Sequence, residues 1–391
     1  MKIGLVLSST PGYSETFFTS KIKGLQEHGF EVILFTQAIK QDFELCQVIK
    51  ATKVYKNPVF QVLSMVFVFA KLLANASTVI KFIRFERQEN TSVLNLLKKI
   101  YLNSHMLSQK VDWLHFGFAT QALGSELVAK AIGAKMAVSF RGFDISIYPL
   151  KYQNCYNLVW KHVDKVHTIS NDLLNLAFNL GLSKNTNIQK ITPAIDIGKF
   201  QKDIELASKQ ESIKILTVAR LTWKKGIIDT LHALKIVKSK GYKFNYTIVG
   251  IGNEYERIAY AIDQFNLVDN VNLVGKKDVS EVIEIYANSN IYLQGSISEG
   301  FCNAVLEAQA MGLLCIVSDA EGLSENIIDA KTGWLVPKCN PEALAKKIIE
   351  VINLPEEKKT IITNSAIERV KLDFTIAQQT KKFIEFYSLN S

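Results

Sequence analysis

A chain of 391 residues, 48% hydrophobic and 21% charged, can fill two ordinary cores, which excludes wholesale disorder. Its net charge of +9 favours anionic partners: a phosphorylated substrate or an acidic membrane face. No lysine-rich tail or aromatic RNA-binding signature accompanies that charge, so nucleic acid is not expected as a partner. Five scattered cysteines (Cys46, Cys155, Cys302, Cys315, Cys339) form no C-x-x-C pair and read as buried thiols in a reducing compartment.

In chain order, residues 2–7 read as a buried parallel strand, too short an apolar run for a signal peptide. A loop over 8–14 carries Pro11 and Gly12; a helix over 15–28 ends at Gly29, and a strand follows over 30–35. This β-loop-α-β unit opens a doubly wound sheet, whose ligands sit at the carboxyl ends of its strands. Residues 54–110 read as one or two long helices with a Val/Phe/Leu face and a basic one, set by Lys53, Lys56, Lys71, Lys81, Arg84, Arg87, Lys98 and Lys99. Core packing and docking to anionic lipid are both open for this stretch. Its most apolar part, residues 59–76, is interrupted by Gln61, Ser64, Lys71 and Asn75. That falls short of the roughly 20 clean residues of a spanning helix, so no transmembrane segment is expected.

Residues 111–118 (VDWLHFGF) form a strand with His115 near its end. Strands follow over 134–140, ahead of Arg141-Gly142-Phe143-Asp144, over 163–170, and over 188–193; Asn171-Asp172 caps a helix that runs to about Gly181. Polar residues 201–212 read as a linker. A second β/α series begins at Ile213: a strand over 214–219, the loop 220–226, a helix to about 240, a strand over 243–249, the turn at Gly250-Ile251-Gly252 and a strand over 271–274. The last helix spans 375–387.

The chemistry concentrates in residues 296–312, SISEGFCNAVLEAQAMG. A strand over 291–293 feeds a loop, then a helix over 302–311 that Gly312 can close in a left-handed cap. Glu299 stands before the helix. Glu307 shares its apolar stripe with Ala304 and Met311, where an unpaired charge is costly to bury. The helix N-terminus, fronted by Gly300, offers N–H groups to an anion. Phosphate on amides and hydroxyls on carboxylates suits a nucleotide-sugar; two solvated glutamates on a capped surface helix are the plain alternative. Arg220 and Lys225, in a strand-to-helix loop, suit a diphosphate leaving group, with two solvated cations as the alternative. No Asp-x-Asp stands nearby, so neither metal nor other cofactor is expected.

The words S-x-S-E-G-F-x-N-x-x-L-E-A-x-A-x-G resemble the donor-site signature of family-4 retaining glycosyltransferases. V-A-R-L-x-x-K-K-G resembles that family's phosphate loop, and S-E-T-F at 14–17 a subgroup that builds bacterial exopolysaccharide and capsule units. The resemblance implies an α/β GT-B fold: an acceptor-binding domain over 1–205, a donor-binding domain over 206–372, and a C-terminal helix within 373–391 returning to the first. It implies a donor site of Gly12, Arg220, Lys225, Gly250, Glu299, Gly300, Phe301, Cys302, Asn303 and Glu307. Glu307 would take the ribose hydroxyls, and Glu299 with the amides of residues 301–303 the sugar and phosphate. Ser14, Glu15, His115 and Asp144 fall on the acceptor side, and Glu299, Arg220, Lys225, His115 and Arg141 near the reacting bond.

Two departures stand out. The family's D-x-x-H-x-H is here Asp112-x-x-His115-x-Gly117, and its later His-Gly is Arg141-Gly142. The expected activity is sugar transfer with retention from a nucleotide diphosphate sugar to a glycan, polyprenyl-linked, in surface polysaccharide assembly. The expected place is cytoplasmic or peripheral on the inner membrane face. The alternatives are a sugar-nucleotide epimerase of similar fold and a sugar-nucleotide-binding protein without turnover.

Overall fold

The computed structural model describes residues 1–12, 16–40, 43–201 and 212–388. Two compact units divide it: Met1–Ile191 with Gln379–Ser391, and Thr192–Gln378. The junctions differ from those read from sequence, 205/206 and 372/373. Residues 192–200 belong with the second unit because Ile195 bridges to Thr375 and Phe200 packs edge-on against Tyr286. Most of the expected linker, residues 202–211, lies outside the described residues.

The first unit holds seven parallel strands: β1 (Lys2–Ser9), β2 (Glu31–Ala38), β3 (Gln47–Lys50), β4 (Trp113–Phe116), β5 (Lys135–Phe140), β6 (Lys165–Thr168) and β7 (Asn187–Lys190), in the order β3-β2-β1-β4-β5-β6-β7. Apolar runs such as those of β1 and β2 are buried on both faces, as a helix-covered parallel sheet requires. One face carries helix α1 (Thr16–Glu27) and the C-terminal helix Ile376–Tyr387. Phe18, Ile22 and Leu25 meet Phe383, Phe386 and Tyr387 in one core. The two helices touch at Gly24: a Cβ there would lie 2.3 Å from Thr380 Oγ1.

Between β3 and β4 lie three helices where one or two were expected: α2 (Pro58–Leu72), α3 (Ala76–Gln88) and α4 (Val93–Leu107). A 3₁₀ turn joins α2 to α3, so Pro58–Gln88 is continuously helical for 31 residues. Its best 18-residue window has a mean hydropathy of 1.8 and is 11% buried. By length and composition alone the segment is long and apolar enough to cross a membrane, more so than the interrupted run 59–76 suggested. The interruptions at Gln61, Ser64 and Asn75 are uncharged, and Lys71 adds a single charge, so they do not lower the window enough.

The second unit holds six parallel strands: β8 (Ile213–Val218), β9 (Phe244–Val249), β10 (Val271–Gly275), β11 (Ile291–Gln294), β12 (Leu314–Ser318) and β13 (Trp334–Val336), ordered β10-β9-β8-β11-β12-β13. Strand order reverses between β8 and β11, and in the first unit between β1 and β4. Loops leaving the carboxyl ends of such a pair diverge and leave a crevice, the usual place for a ligand in a doubly wound sheet.

Candidate functional site

The β8–β11 switch point of the second unit brings together two loops that start 76 residues apart in sequence. Residues 219–226 leave β8 and residues 295–302 leave β11. They pack backbone on backbone. Gly226 has φ +57°, and a Cβ on it would lie 1.9 Å from the Gly295 carbonyl oxygen, so no other residue fits. The Ile297 amide donates to the Lys224 carbonyl at 2.7 Å. A third loop presses in from β9. A Cβ on Gly250 would meet the Ala219 carbonyl at 1.8 Å, and one on Gly252 the Leu221 carbonyl at 2.1 Å. The two glycines therefore bracket Arg220, which gives the Gly-x-Gly turn a definite role that spacing alone did not supply.

This packing places Lys225 Nζ on the Glu299 carboxylate, both side chains largely buried. Burial opposes the Lys225 charge, but Glu299 outweighs it and holds the ammonium above its ordinary range. Lys224 is pushed down, by burial first, with Arg220 and Lys225 adding to it. Arg220 is exposed at the rim of the loop. Three cations thus crowd one loop: Lys225 largely buried, Lys224 half-buried and Arg220 open to solvent.

Past Glu299 the chain enters the helix Asn303–Ala310, capped by Cys302 and followed by Gly312 at φ +73°. Its apolar residues Val305, Leu306 and Ala308 are buried, and Glu307 is half-buried among them. The Tyr286 hydroxyl donates to Glu307 Oε2 at 3.0 Å. Burial nevertheless pushes the Glu307 carboxyl up to about 7. The expected amide cradle is partly taken: Cys302 N–H donates to Asn326 Oδ1 at 3.0 Å, and Glu299 N–H to Glu321 Oε2 at 2.7 Å. The Cys302 amide therefore leaves the set of anion donors, because a buried carboxamide already fills it. Gly300 and Phe301 are buried beside it, and Asn303 opens the helix.

Sequence reasoning missed the frame behind this site. Tyr292, Gln294 and Ser296 form a buried hydrogen-bonded row, with Ser318 Oγ donating to the Ser296 carbonyl at 2.5 Å. Arg369 donates to the carbonyls of Asn326 and Glu325 at 2.6 and 2.8 Å, clamping the loop that supplies Glu321 and Asn326. Glu325 serves this clamp through its backbone carbonyl. No local pattern marks Ser318 or Arg369, whose partners lie 22 to 44 residues away.

In the first unit, Gly12 lies in the loop after β1, while Ser14 and Glu15 fall outside the described residues. Arg141, after β5, stacks its guanidinium 3.7 Å from the Phe17 ring centre and 4.9 Å from that of Phe18. Asp144 is buried and accepts from the amides of Ala119, Arg141 and Gly142, each at 3.0 Å. Burial still raises its carboxyl. It braces the loop after β5 through these amides.

His115 is fully buried at the centre of the sheet. Its Nδ1 meets Tyr387 Oη at 2.5 Å and Lys21 Nζ at 3.3 Å, and its Nε2 meets Ser139 Oγ at 2.7 Å. Ser139 Oγ in turn lies 2.7 Å from His167 Nδ1, and His167 Nε2 lies 3.0 Å from the Ile191 carbonyl. Burial lowers both imidazoles well below their ordinary range, so both are neutral. A carbonyl only accepts, so His167 Nε2 carries hydrogen and its Nδ1 accepts from Ser139. Ser139 then accepts from His115 Nε2–H, and His115 Nδ1 accepts from Tyr387. Every ring nitrogen is satisfied inside the protein, which leaves His115 nothing to offer a substrate.

Residues 199–368 match the family described as glycosyl transferases group 1. The match is to a group 1 glycosyltransferase domain and takes in 170 of the 391 residues. That domain covers most of the second unit and includes every donor-side residue named above except Gly12. Over nearly its whole length the chain is similar to the glycosyltransferase WcaL of Escherichia coli K12, named for colanic acid biosynthesis: 27% identity over 403 residues, 96% of each chain. It is 26% identical over 257 residues, 63% of this chain and 66% of the other, to a Campylobacter jejuni transferase. That protein is named as an N,N'-diacetylbacillosaminyl-diphospho-undecaprenol alpha-1,3-N-acetylgalactosaminyltransferase. The solved structure of Anabaena Alr3699/HepE in complex with UDP and glucose matches with a TM-score of 0.73, 15% identity and 98% coverage of each chain. A likeness at that identity speaks for the fold, two Rossmann-like units of the GT-B class. The epimerase alternative falls, because the relatives are glycosyltransferases of polysaccharide synthesis.

Proposed function

We propose that this glycosyltransferase moves a sugar, with retention, from a nucleotide diphosphate sugar onto a polyprenyl-linked glycan in surface polysaccharide assembly, at the inner membrane face. The observation that carries the reading is the paired loop at the β8–β11 switch point. It sets Lys225 on Glu299, eight residues before Glu307, with Arg220 and Lys224 in the same loop as Lys225. Lys225 and Arg220 would neutralise the diphosphate, whose charge grows as the sugar–phosphate bond breaks, without a metal ion. The amides of Gly300, Phe301 and Asn303 would add to that cradle. Glu307 would accept from the ribose hydroxyls, and Glu299 would hold the sugar. The acceptor oxygen forms the new bond on the face the diphosphate leaves, and its proton passes to the departing phosphate. Charge stabilisation and positioning then supply the rate, with no glycosidase-type carboxylate pair. The first unit would present the acceptor, with Arg141 standing where relatives of the signature carry histidine.

The test is a thermal-shift screen of nucleotide-sugars followed by turnover with a polyprenyl diphosphate glycan. One nucleotide-sugar should raise the unfolding midpoint and yield elongated lipid-linked product with the anomeric configuration kept. Binding without transfer to any acceptor would make this a sugar-nucleotide-binding protein. No binding at all would reject the donor site.

A further inference from the structure

Helix α2 is built inside out. Residues 57–70 carry no charge, and its buried side chains are Val68 and Leu72. That inner side is pinned: Ser64 Oγ lies 2.7 Å from the Tyr101 hydroxyl, which donates to the Lys53 carbonyl at 2.6 Å. The outer side presents Val59, Val62, Leu63, Val66 and Phe67, each about 60% exposed. A soluble surface helix shows its polar side outward; this one shows water a continuous hydrocarbon face.

The face continues into a groove among α2, α3 and α4. The groove holds about 360 Å³ and is lined by apolar side chains, including Leu72, Leu73, Ile80, Leu97 and Ile100. Leu73 and Ile80 are 74% and 64% exposed, so the groove opens on the exterior. Charge around the face has one sign. Residues 45–85 contain Lys50, Lys53, Lys56, Lys71, Lys81 and Arg84, all exposed, and no acidic residue. The next acid, Glu86, is buried on Lys99 at 2.9 Å and adds no outward negative charge.

We infer that α2 and its flanking helices dock on one leaflet of an anionic bilayer. The exposed side of α2 inserts among acyl chains, the basic residues meet phosphate headgroups, and the groove takes a single hydrocarbon chain. The complement of an apolar face rimmed by exposed cations is a surface of hydrocarbon under anionic headgroups. The segment lies on the membrane and does not span it. Val68, Leu72 and Phe82 are buried within the protein, and crossing would strip them from it. This deepens the membrane clause of the proposed function but stands apart from its chemistry, since it is tested without donor.

The test is flotation of the full-length protein with vesicles of phosphatidylcholine alone or with 30% phosphatidylglycerol. Wild type should float with the mixed vesicles at least ten-fold better than with the neutral ones. Val62→Asp with Val66→Asp should lose that binding while keeping its far-ultraviolet dichroism and unfolding midpoint, since both side chains are exposed. In Phe67→Trp, fluorescence from position 67 should be quenched by brominated acyl chains. Wild type that stays with the aqueous fraction, or an aspartate variant that floats equally well, overturns the docking surface. Protein that forms a dimer lost in the aspartate variant, without floating, assigns the face to a second copy instead. Protein that resists alkaline carbonate extraction overturns the surface mode in favour of a span. None of these outcomes touches sugar transfer, which is assayed with donor and a short-chain acceptor in detergent.

Discussion

His115 and Tyr387 meet at 2.5 Å, ring nitrogen to phenol, although 272 residues separate them. The contact fastens the C-terminal helix to the middle of the first sheet, and Trp113 Nε1 adds a bond to the Tyr387 carbonyl at 3.1 Å. The hydrogens run one way: Tyr387 to His115, His115 to Ser139, Ser139 to His167, His167 to Ile191. Breaking the first link leaves a buried acceptor underserved. Tyr387→Phe should therefore destabilise the protein by about 1–2 kcal/mol, read as a lower urea midpoint at unchanged slope. An unchanged midpoint removes the fastening role.

Lys21 is buried against His115 and the rings of Phe383 and Tyr387, 4.2 and 5.3 Å away. Burial, then the charge of Arg141, lowers its ammonium well below 10.5. Between that depressed value and 10.5 the unfolded chain binds the extra proton, so stability rises with pH across the interval. Lys21→Met has no such slope. The variant should unfold at a higher temperature than wild type near neutrality, and the two should converge towards pH 10.5. Parallel curves from pH 7 to 10 would show that Lys21 is solvated.

Glu307 shifts the other way in charge but follows the same linkage. Its carboxyl moves from 4.5 to about 7 on burial, so the folded state holds a proton that the unfolded chain releases. The contribution is complete below pH 4.5 and is lost as pH climbs to about 7. Glu307→Gln should flatten that fall in melting temperature and, because the carboxylate is gone, weaken nucleotide-sugar binding. Donor affinity equal to wild type rejects the ribose role.

Lys225→Ala removes the sunk cation and strands Glu299. Turnover should fall on the order of 10²–10³-fold, the usual cost of one preorganised charge stabiliser. Lys225→Arg keeps the charge and should recover part of the loss. A wild-type rate in the alanine variant, measured with saturating donor, ends the phosphate assignment.

Much of the architecture was written in local pattern. The apolar runs of β1, β8 and β11 and the stop at Gly312 depend on neighbours within a few residues, so the β/α order of both units was legible. The short edge strand β3 was not, because four residues, two half-buried and two exposed, carry too little pattern. The loop and helix from Glu299 to Glu307 were legible because a signature names their residues in a row.

Tertiary structure decided the rest. His115 and Asp144 sit near strand ends in the sequence, as ligand-binding groups do, and only long-range packing shows that their polar atoms are already satisfied. Gly250 and Gly252 became meaningful once the Ala219 and Leu221 carbonyls were seen against them. The side of α2 that faces water could not be read from its sequence, because a helix apolar all round has no polar face to mark the outside. Sequence thus set which segments become strands and helices, through short-range periodicity. Burial, pairing and exposure were set by contacts between residues tens to hundreds of positions apart.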